Sequence, residues 1–495
     1  MILYPLFYLV LMTFVVACAM VPDVSDRALV INKKSGAREC RQLFDDSEQI
    51  INHEKVGDSQ AVKIAAYPYL RSNRWLASFK YQVSSDKAFA SWLDELQNLG
   101  MEGLQVELAN LSQAGRAQLP KQAVFTHCTA ILRQTDFAGA SWAVKEKLIK
   151  AVDVPDEYQT WKRIIGLYWL TAWATQYGTE NLYDEIRDTY KNPVPLENSV
   201  TYLAPARPAA DKVPWVMERA YGQHPLGIPQ LKAGDRALLF AAFAPNITVA
   251  TKTENDRIGR ITWSEESETP VVITGTPTVY QYLSYTRFNQ QILLQLNYIF
   301  WFPSRPKQSA IDYLGGNIDG LTWRVTLSKQ GLPLAYDSIH NCGCYHLFFP
   351  TDKSCLKQPA GVLEEPAFSF QQLTSTSHKP LTLQLAHTSH YLDRVLEQAE
   401  VGENLVEYQW ADYNSLRSVA KPGTENLRQS IFQTDGVVAG TERGERFFLW
   451  PMGIPAPGEM RQWGHHATAF YGRRHFDDAN IIERYIGTAG DQTCQ

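Results

Sequence analysis

Cysteine is scarce, with seven in 495 residues. That density excludes a small scaffold held together by disulfides in place of a core. A basic excess is also missing. Lys plus Arg number 47 against 52 Asp plus Glu, a formal net charge of -5. Without surplus cations to neutralise phosphates, nucleic acid is not an expected partner. No Gly-x-Gly-x-x-Gly or Walker loop occurs, so a nucleotide is not expected either. A Gly-x-Ser-x-Gly elbow is absent, which removes one signal of a hydrolase nucleophile. His53-Glu54 starts like a zinc-protease helix, but Gly57 stands where the second histidine belongs. Beyond the first residues no apolar run is long enough to span a bilayer, which takes about 20 residues. Residues 164–174 come nearest, and they read as a buried amphipathic helix, with a helix resting on a membrane as the alternative. Internal repeats and low-complexity tracts are lacking.

Charge is absent from residues 1–22, and the first charged side chain is Asp23. Residues 2–17 form an apolar run, of the length of a signal-peptide core. It closes with Val15-Val16-Ala17-Cys18, which resembles the lipobox of bacterial lipoproteins. The resemblance covers these first residues only. It implies cleavage before Cys18 and acylation of that cysteine on its thiol and new amino group. Several acyl chains anchor stably where one holds marginally, at about 0.8 kcal/mol per buried CH2. Ala19, being non-acidic, implies sorting to the outer membrane, with the folded chain facing an oxidising periplasm. The competing assignment is an uncleaved anchor helix.

The rest of the chain divides by period. Residues 18–60 read as a lipid anchor and polar tether. Residues 61–192 read as a helical domain: Phe89, Trp92, Leu93 and Leu96 recur at three- and four-residue spacing, and Gly100 is the expected stop. Prolines crowd residues 193–230, a predicted linker. In residues 231–495 the period becomes two, with strands predicted at 271–274, 292–302, 381–386, 405–410 and 445–450. A hairpin is expected from 321–328 through Lys329-Gln330-Gly331 to 332–339. Residues 390–399 are a predicted late helix. The expected class is α+β, a helical domain followed by a mainly antiparallel β domain with a few late helices.

Two segments concentrate chemistry. His340-Asn341-Cys342-Gly343-Cys344-Tyr345-His346 follows the hairpin, and a continued strand would point His340, Cys342, Cys344 and His346 the same way. Imidazole and thiolate are ligands for zinc and other transition metals. The alternative is disulfide bonding among Cys40, Cys128, Cys342, Cys344, Cys355 and Cys494, in any of fifteen pairings. The second segment holds His465, His466, Arg473, Arg474, His475, Asp477 and, further on, Glu483. Converged, the two segments would form a metal site on His340, His346 and a C-terminal histidine. Asp477 or Glu483 would then serve as base, with Arg473 and Arg474 holding a substrate anion. The aromatic cluster at 298–303 reads as core, or, if exposed, as a face for a protein or glycan. The expected function is thus a lipid-anchored envelope protein, either a metal-dependent hydrolase of an envelope component or a non-catalytic binder of a protein or glycan.

Overall fold

A helix stands where the sequence suggested a tether. In the computed structural model, which describes residues 35–192, 198–205, 211–222, 224–359, 361, 363–375, 380–397, 404–424, 426–491 and 494, α1 spans Ser35–Glu54. The apolar run, Cys18 and Ala19 lie outside the described residues. Ala37, Cys40, Phe44, Ser47 and Ile51 form the buried stripe of α1, spaced three and four apart. Only one narrow stripe is apolar, so the segment reads as polar in sequence yet buries a face. Two strands follow, β1 (Val62–Ile64) and β2 (Tyr67–Ser72), then α2 (Arg74–Ala77) and α3 (Asp86–Asn110). Helix α3 is capped by the Ser85 side chain and runs through Gly100 without stopping. A Cβ at Gly100 would stand 2.3 Å from the Tyr69 carbonyl oxygen. Close approach to β2 therefore accounts for this glycine. Helices α4 (Gln113–Ala117), α5 (Gln122–Phe137) and α6 (Trp142–Ala151) complete a unit with its own core around Trp92, Leu96 and Phe125.

Helices α7 (Thr160–Ile165) and α8 (Tyr168–Lys191) belong instead to the second core, through Ala172, Tyr183 and Ile186. The predicted linker is partly regular: it supplies β3 (Ser199–Leu203) and α9 (Lys212–Ala220). Next come α10 (Ala233–Ala242), β4 (Asn246–Ala250) and the hairpin of β5 (Arg260–Trp263) with β6 (Pro270–Ile273). The main sheet is built from β7 (Thr278–Phe288), β8 (Gln291–Arg305), β9 (Gly316–Leu327), β10 (Pro333–His340) and β11 (Leu347–Pro350), antiparallel in succession. Strand β8 is central and buried on both faces from Ile292 to Phe302, so the aromatic cluster is core. The predicted hairpin forms, with Pro333 opposite Leu327.

The remaining strands are β12 (Ser354–Leu356), β13 (Thr382–Leu385), β14 (Leu392–Leu396), β15 (Asn404–Glu407), β16 (Gln409–Asp412), β17 (Val419–Ala420) and β18 (Arg428–Gln429). Helices α11 (Arg446–Leu449) and α12 (Ile481–Tyr485) precede β19 (Ile486–Thr488). A second, five-stranded sheet has the order β14-β13-β4-β3-β15, while β16 lies parallel to β7 on the edge of the first. The class is α+β, as expected. Two local expectations fail. The late helix at 390–399 is β14, because pairing with β13 buries Leu392 and Val395 at a sheet edge. The strand at 445–450 is α11 and a 3-10 turn, Trp450–Met452.

Candidate ligand cleft

Residues 164–174 were expected to be one buried amphipathic helix, with a helix resting on a membrane as the alternative; they fall at the junction of α7 and α8. The chain breaks between them at Leu167, whose φ is +49°, and the break turns two apolar surfaces outward. Trp161, Ile164, Ile165 and Leu167 are exposed, and so are Trp169, Leu170, Trp173 and Tyr177, each between 52 % and 70 %. The 3-10 turn Trp450–Met452 packs on both helices and brings α11 alongside. Phe447 and Phe448 of α11 are themselves 68 % and 65 % exposed. Together these side chains form one apolar face, larger than scattered surface hydrophobics require. Lys162 lies within it, its ammonium 5.7 Å from the Trp161 ring, and Arg446 stacks on Phe447. No helix of the described residues is long and apolar enough to cross a membrane.

A cleft of about 670 Å³ opens beside this face, between α8 and α11. Its volume falls within the roughly 300–1,000 Å³ of small-molecule sites. Leu182, Leu314, Phe448, Leu449 and Phe470 supply apolar wall, and Thr175, Thr179 and Asn181 a polar strip along α8. Arg305, Tyr345, Tyr391 and Glu445 line the inner end. Arg305 closes β8, and its guanidinium lies 5.0 Å from the Tyr391 ring centre. It donates to the Tyr391 hydroxyl at 3.3 Å, and Tyr391 donates to Tyr345 at 2.9 Å. Burial pushes both tyrosines above the ordinary range, so they remain neutral donors. Burial also pushes the Glu445 carboxyl up to about 7, against the pull of Arg305 and Arg443.

Behind the tyrosines runs a buried chain of acids and imidazoles. His340 Nδ1 lies 3.6 Å from Asp319. His390 Nδ1 reaches the same carboxylate at 2.8 Å, and its Nε2 lies 3.5 Å from Asp256. Burial alone would raise Asp319, but the two imidazoles outweigh it and hold the carboxyl well below its ordinary range. Burial opposes the charge on His390, and Asp256 and Asp319 overcome it. Burial prevails at His340, which is lowered and neutral. Its Nε2 has no hydrogen-bond partner among the described residues and borders a cavity of about 10 Å³ shared with Ser338, Tyr345 and Tyr391. The chain thus fixes the hairpin end that carries Tyr345.

No protein family, curated protein or solved structure matches the chain.

The two chemistry-rich segments do converge. A Cβ at Gly343 would meet the Ala467 carbonyl oxygen at 2.8 Å, and the Arg461 amide donates to the Asn341 carbonyl. Their rings nevertheless face different ways. The strand ends at His340, and Gly343 (φ +94°) and Tyr345 (φ +59°) fold the chain back, so the period-two alignment of His340, Cys342, Cys344 and His346 is lost. His346 is buried against Asp337 at 2.8 Å, and burial lowers it to about 4. His466 is lowered to about 3 by burial, and its Nε2 has no hydrogen-bond partner among the described residues. Phe476 lies between these two rings. His475 accepts from the Glu157 amide at 3.3 Å. Among the described residues no three His, Cys, Asp or Glu side chains are grouped to hold a metal ion. Cys342 and Cys344 are free and buried, so the bridge expected there does not form. A hydrogen bond between these thiols, together with burial, pushes Cys344 well above the thiol range. The cysteine pairs at bridging distance are Cys40–Cys128 and Cys355–Cys494, with Cα atoms 5.1 and 5.6 Å apart.

The C-terminal candidates serve separate contacts. Asp477 accepts from Arg74 at 3.2 Å, and His465 bridges Glu157 at 3.1 Å and the Ser59 carbonyl at 2.9 Å. These four side chains line a polar pocket of about 130 Å³ at the junction of the two units. Arg473 pairs with Asp156 at the surface, whereas Arg474 is buried on Glu365 and the Pro366 carbonyl. The two arginines therefore do not grip one anion. Glu483, on α12, accepts from the Asn289 amide at 3.2 Å. The residues missed in sequence are Arg305, Tyr391 and Glu445. Only Tyr345 lay within a singled-out segment.

Proposed function

We propose that the chain is a lipid-anchored protein of the bacterial outer membrane, facing the periplasm, that rests on the bilayer through the apolar face of α7, α8 and α11. It acts as a non-catalytic binder. The observation carrying this reading is the face itself, where tryptophans and aliphatics are interspersed with Lys162 and Arg446. Amphipathic indoles beside cations suit the headgroup boundary of a membrane. Acylation of Cys18 supplies the second attachment that stable anchoring takes. The seventeen residues from Cys18 to Lys34 span at most about 60 Å, enough to let the folded part turn this face toward the lipid. Metal-assisted hydrolysis has less support, since each candidate imidazole is oriented by its own neighbours.

The test uses residues 18–495 with Cys18→Ser, exported through a cleavable signal, so that no acyl chain contributes. The protein is sedimented with vesicles of phosphatidylethanolamine and phosphatidylglycerol. Binding is expected, with a drop of at least about tenfold in the Trp169→Glu, Leu170→Glu double variant. Equal binding by a folded double variant would overturn the reading. Absence of vesicle binding together with saturable capture of one envelope protein through the same residues would replace the bilayer by a protein partner.

A further inference from the structure

We propose that the cleft between α8 and α11 holds a single-chain amphiphile with an oxyanion head, the anion seated on Arg305 and the Tyr345 hydroxyl and the chain running out past Phe470 and Phe448. The source of such a ligand rests on the bilayer-docking reading; the site does not.

Hydrogen-bond direction sets the chemistry at the inner end. A guanidinium only donates, so the Tyr391 oxygen accepts from Arg305, and the Tyr391 proton goes to the Tyr345 oxygen. The proton of Tyr345 is then left over, and among the described residues no acceptor takes it. Arg305 has the same surplus. Its planar fork offers five N–H groups, of which one is used by Tyr391, and no carboxylate of the described residues pairs with it. Glu445 lines the same space without forming that pair. A half-buried arginine that feels Glu445 and Asp319 at a distance but has no carboxylate of the described residues within 4 Å, beside a hydroxyl lacking an acceptor, is completed by an oxyanion accepting from both. Carboxylate and phosphate share that chemistry.

The rest of the cleft specifies a chain. Phe470, Leu182 and Leu449 line the way outward, and exposed Phe448 belongs both to the cleft and to the apolar face. An acyl chain whose head sits on Arg305 would stay in apolar surroundings along this path. A free inorganic anion would leave the wall unused.

The experiment titrates the full mature chain carrying Cys18→Ser with oleate and with a lysophosphatidate, both below their micelle concentrations. Oleyl alcohol and inorganic phosphate are the controls, and binding is followed by calorimetry. Saturable one-site binding of at least one acyl anion is expected. Oleyl alcohol should bind at least about tenfold more weakly, since it cannot charge-pair with Arg305. Arg305→Gln should weaken the anion by about tenfold or more, and Tyr345→Phe, which removes only the hydroxyl, by about threefold to tenfold. The proposal is overturned by any of three results: neither amphiphile binds, oleyl alcohol binds as tightly as the anions, or a folded Tyr345→Phe variant loses nothing. Phosphate binding as tightly as both amphiphiles would overturn the chain half of the proposal. The Trp169→Glu, Leu170→Glu variant separates the two readings. It should bind the anion normally while releasing vesicles; a folded variant that keeps vesicle binding fails the docking reading alone, and a parent that binds vesicles but neither amphiphile fails the cleft alone.

Discussion

His465 is held between a carboxylate and a carbonyl, Glu157 at 3.1 Å and Ser59 at 2.9 Å. Both contacts ask the ring to donate, so the cation is favoured. Burial opposes it, and Glu157 prevails, raising the histidine above 6.5. Burial would raise Glu157, yet His465 and Arg74 hold it below 4.5. A raised histidine contributes stability that is complete below the unfolded value and lost as pH rises through the folded one. A depressed carboxyl contributes stability that is complete above the unfolded value and lost as pH falls through the folded one. The pair is therefore most effective between 4.5 and 6.5. Thermal midpoints measured from pH 4 to 8 should show this dome. His465→Asn should flatten it and cost about 1.5–3 kcal/mol at its centre. An unchanged profile in the variant would remove His465 from the junction's energetics. In sequence this histidine was a candidate metal ligand. Residue type narrows the chemistry a side chain can perform, but its partner, 308 positions away, was not legible.

At the scale of elements, α1 depends on a cross-link. Its stripe of Cys40 and Phe44 packs on α5, with Phe44 edge-on to Phe125 at 5.5 Å and Cys40 joined to Cys128. The linkage closes a loop of 88 residues, for which chain entropy predicts a contribution of about 4–5 kcal/mol. Cys128→Ala, or reductant, should release α1 to protease while the β half stays resistant. Continued protection of residues 35–54 after reduction would show that packing alone holds the helix. The strands at 292–302 and 321–339 were readable because their apolar and β-branched runs agree with the burial the sheet gives them. Residues 390–399 misled because Leu392 and Val395 also fit a helical stripe, and β13 decided for a strand. Gly100 misled because a glycine can end a helix or let one approach a neighbour, and only the position of β2 tells which.

For the whole molecule, the two units meet along a polar seam whose centre is Arg417. It grips Asp58 through Nε at 2.9 Å and Nη2 at 2.7 Å, and it also pairs with Glu102 of α3. Asn110 donates to its carbonyl at 2.8 Å. Replacing one partner of a buried pair strands the other charge, at about 3–5 kcal/mol. Arg417→Met should therefore lower the urea midpoint by that measure and expose the junction near residue 155 to protease. A variant as stable as the parent would place the units' cohesion elsewhere, in contacts such as Trp75 stacked on Tyr285.

Local sequence alone settled the α+β class, the buried central strand with its aromatic cluster, and the hairpin leading to His340. Each follows from local periodicity, which the chain carries wherever it goes. Tertiary structure decided which apolar surfaces stay uncovered and which polar groups find partners. Residues 161–177 are apolar in either case, but only the placement of the sheet and of α11 leaves them facing outward. Arg305, Tyr345 and Tyr391 come from separate stretches of the chain, and nothing local to any of them encodes the order in which their hydrogen bonds run. Burial and pairing are properties of the packed whole, so the cleft becomes visible only once the chain has closed around it.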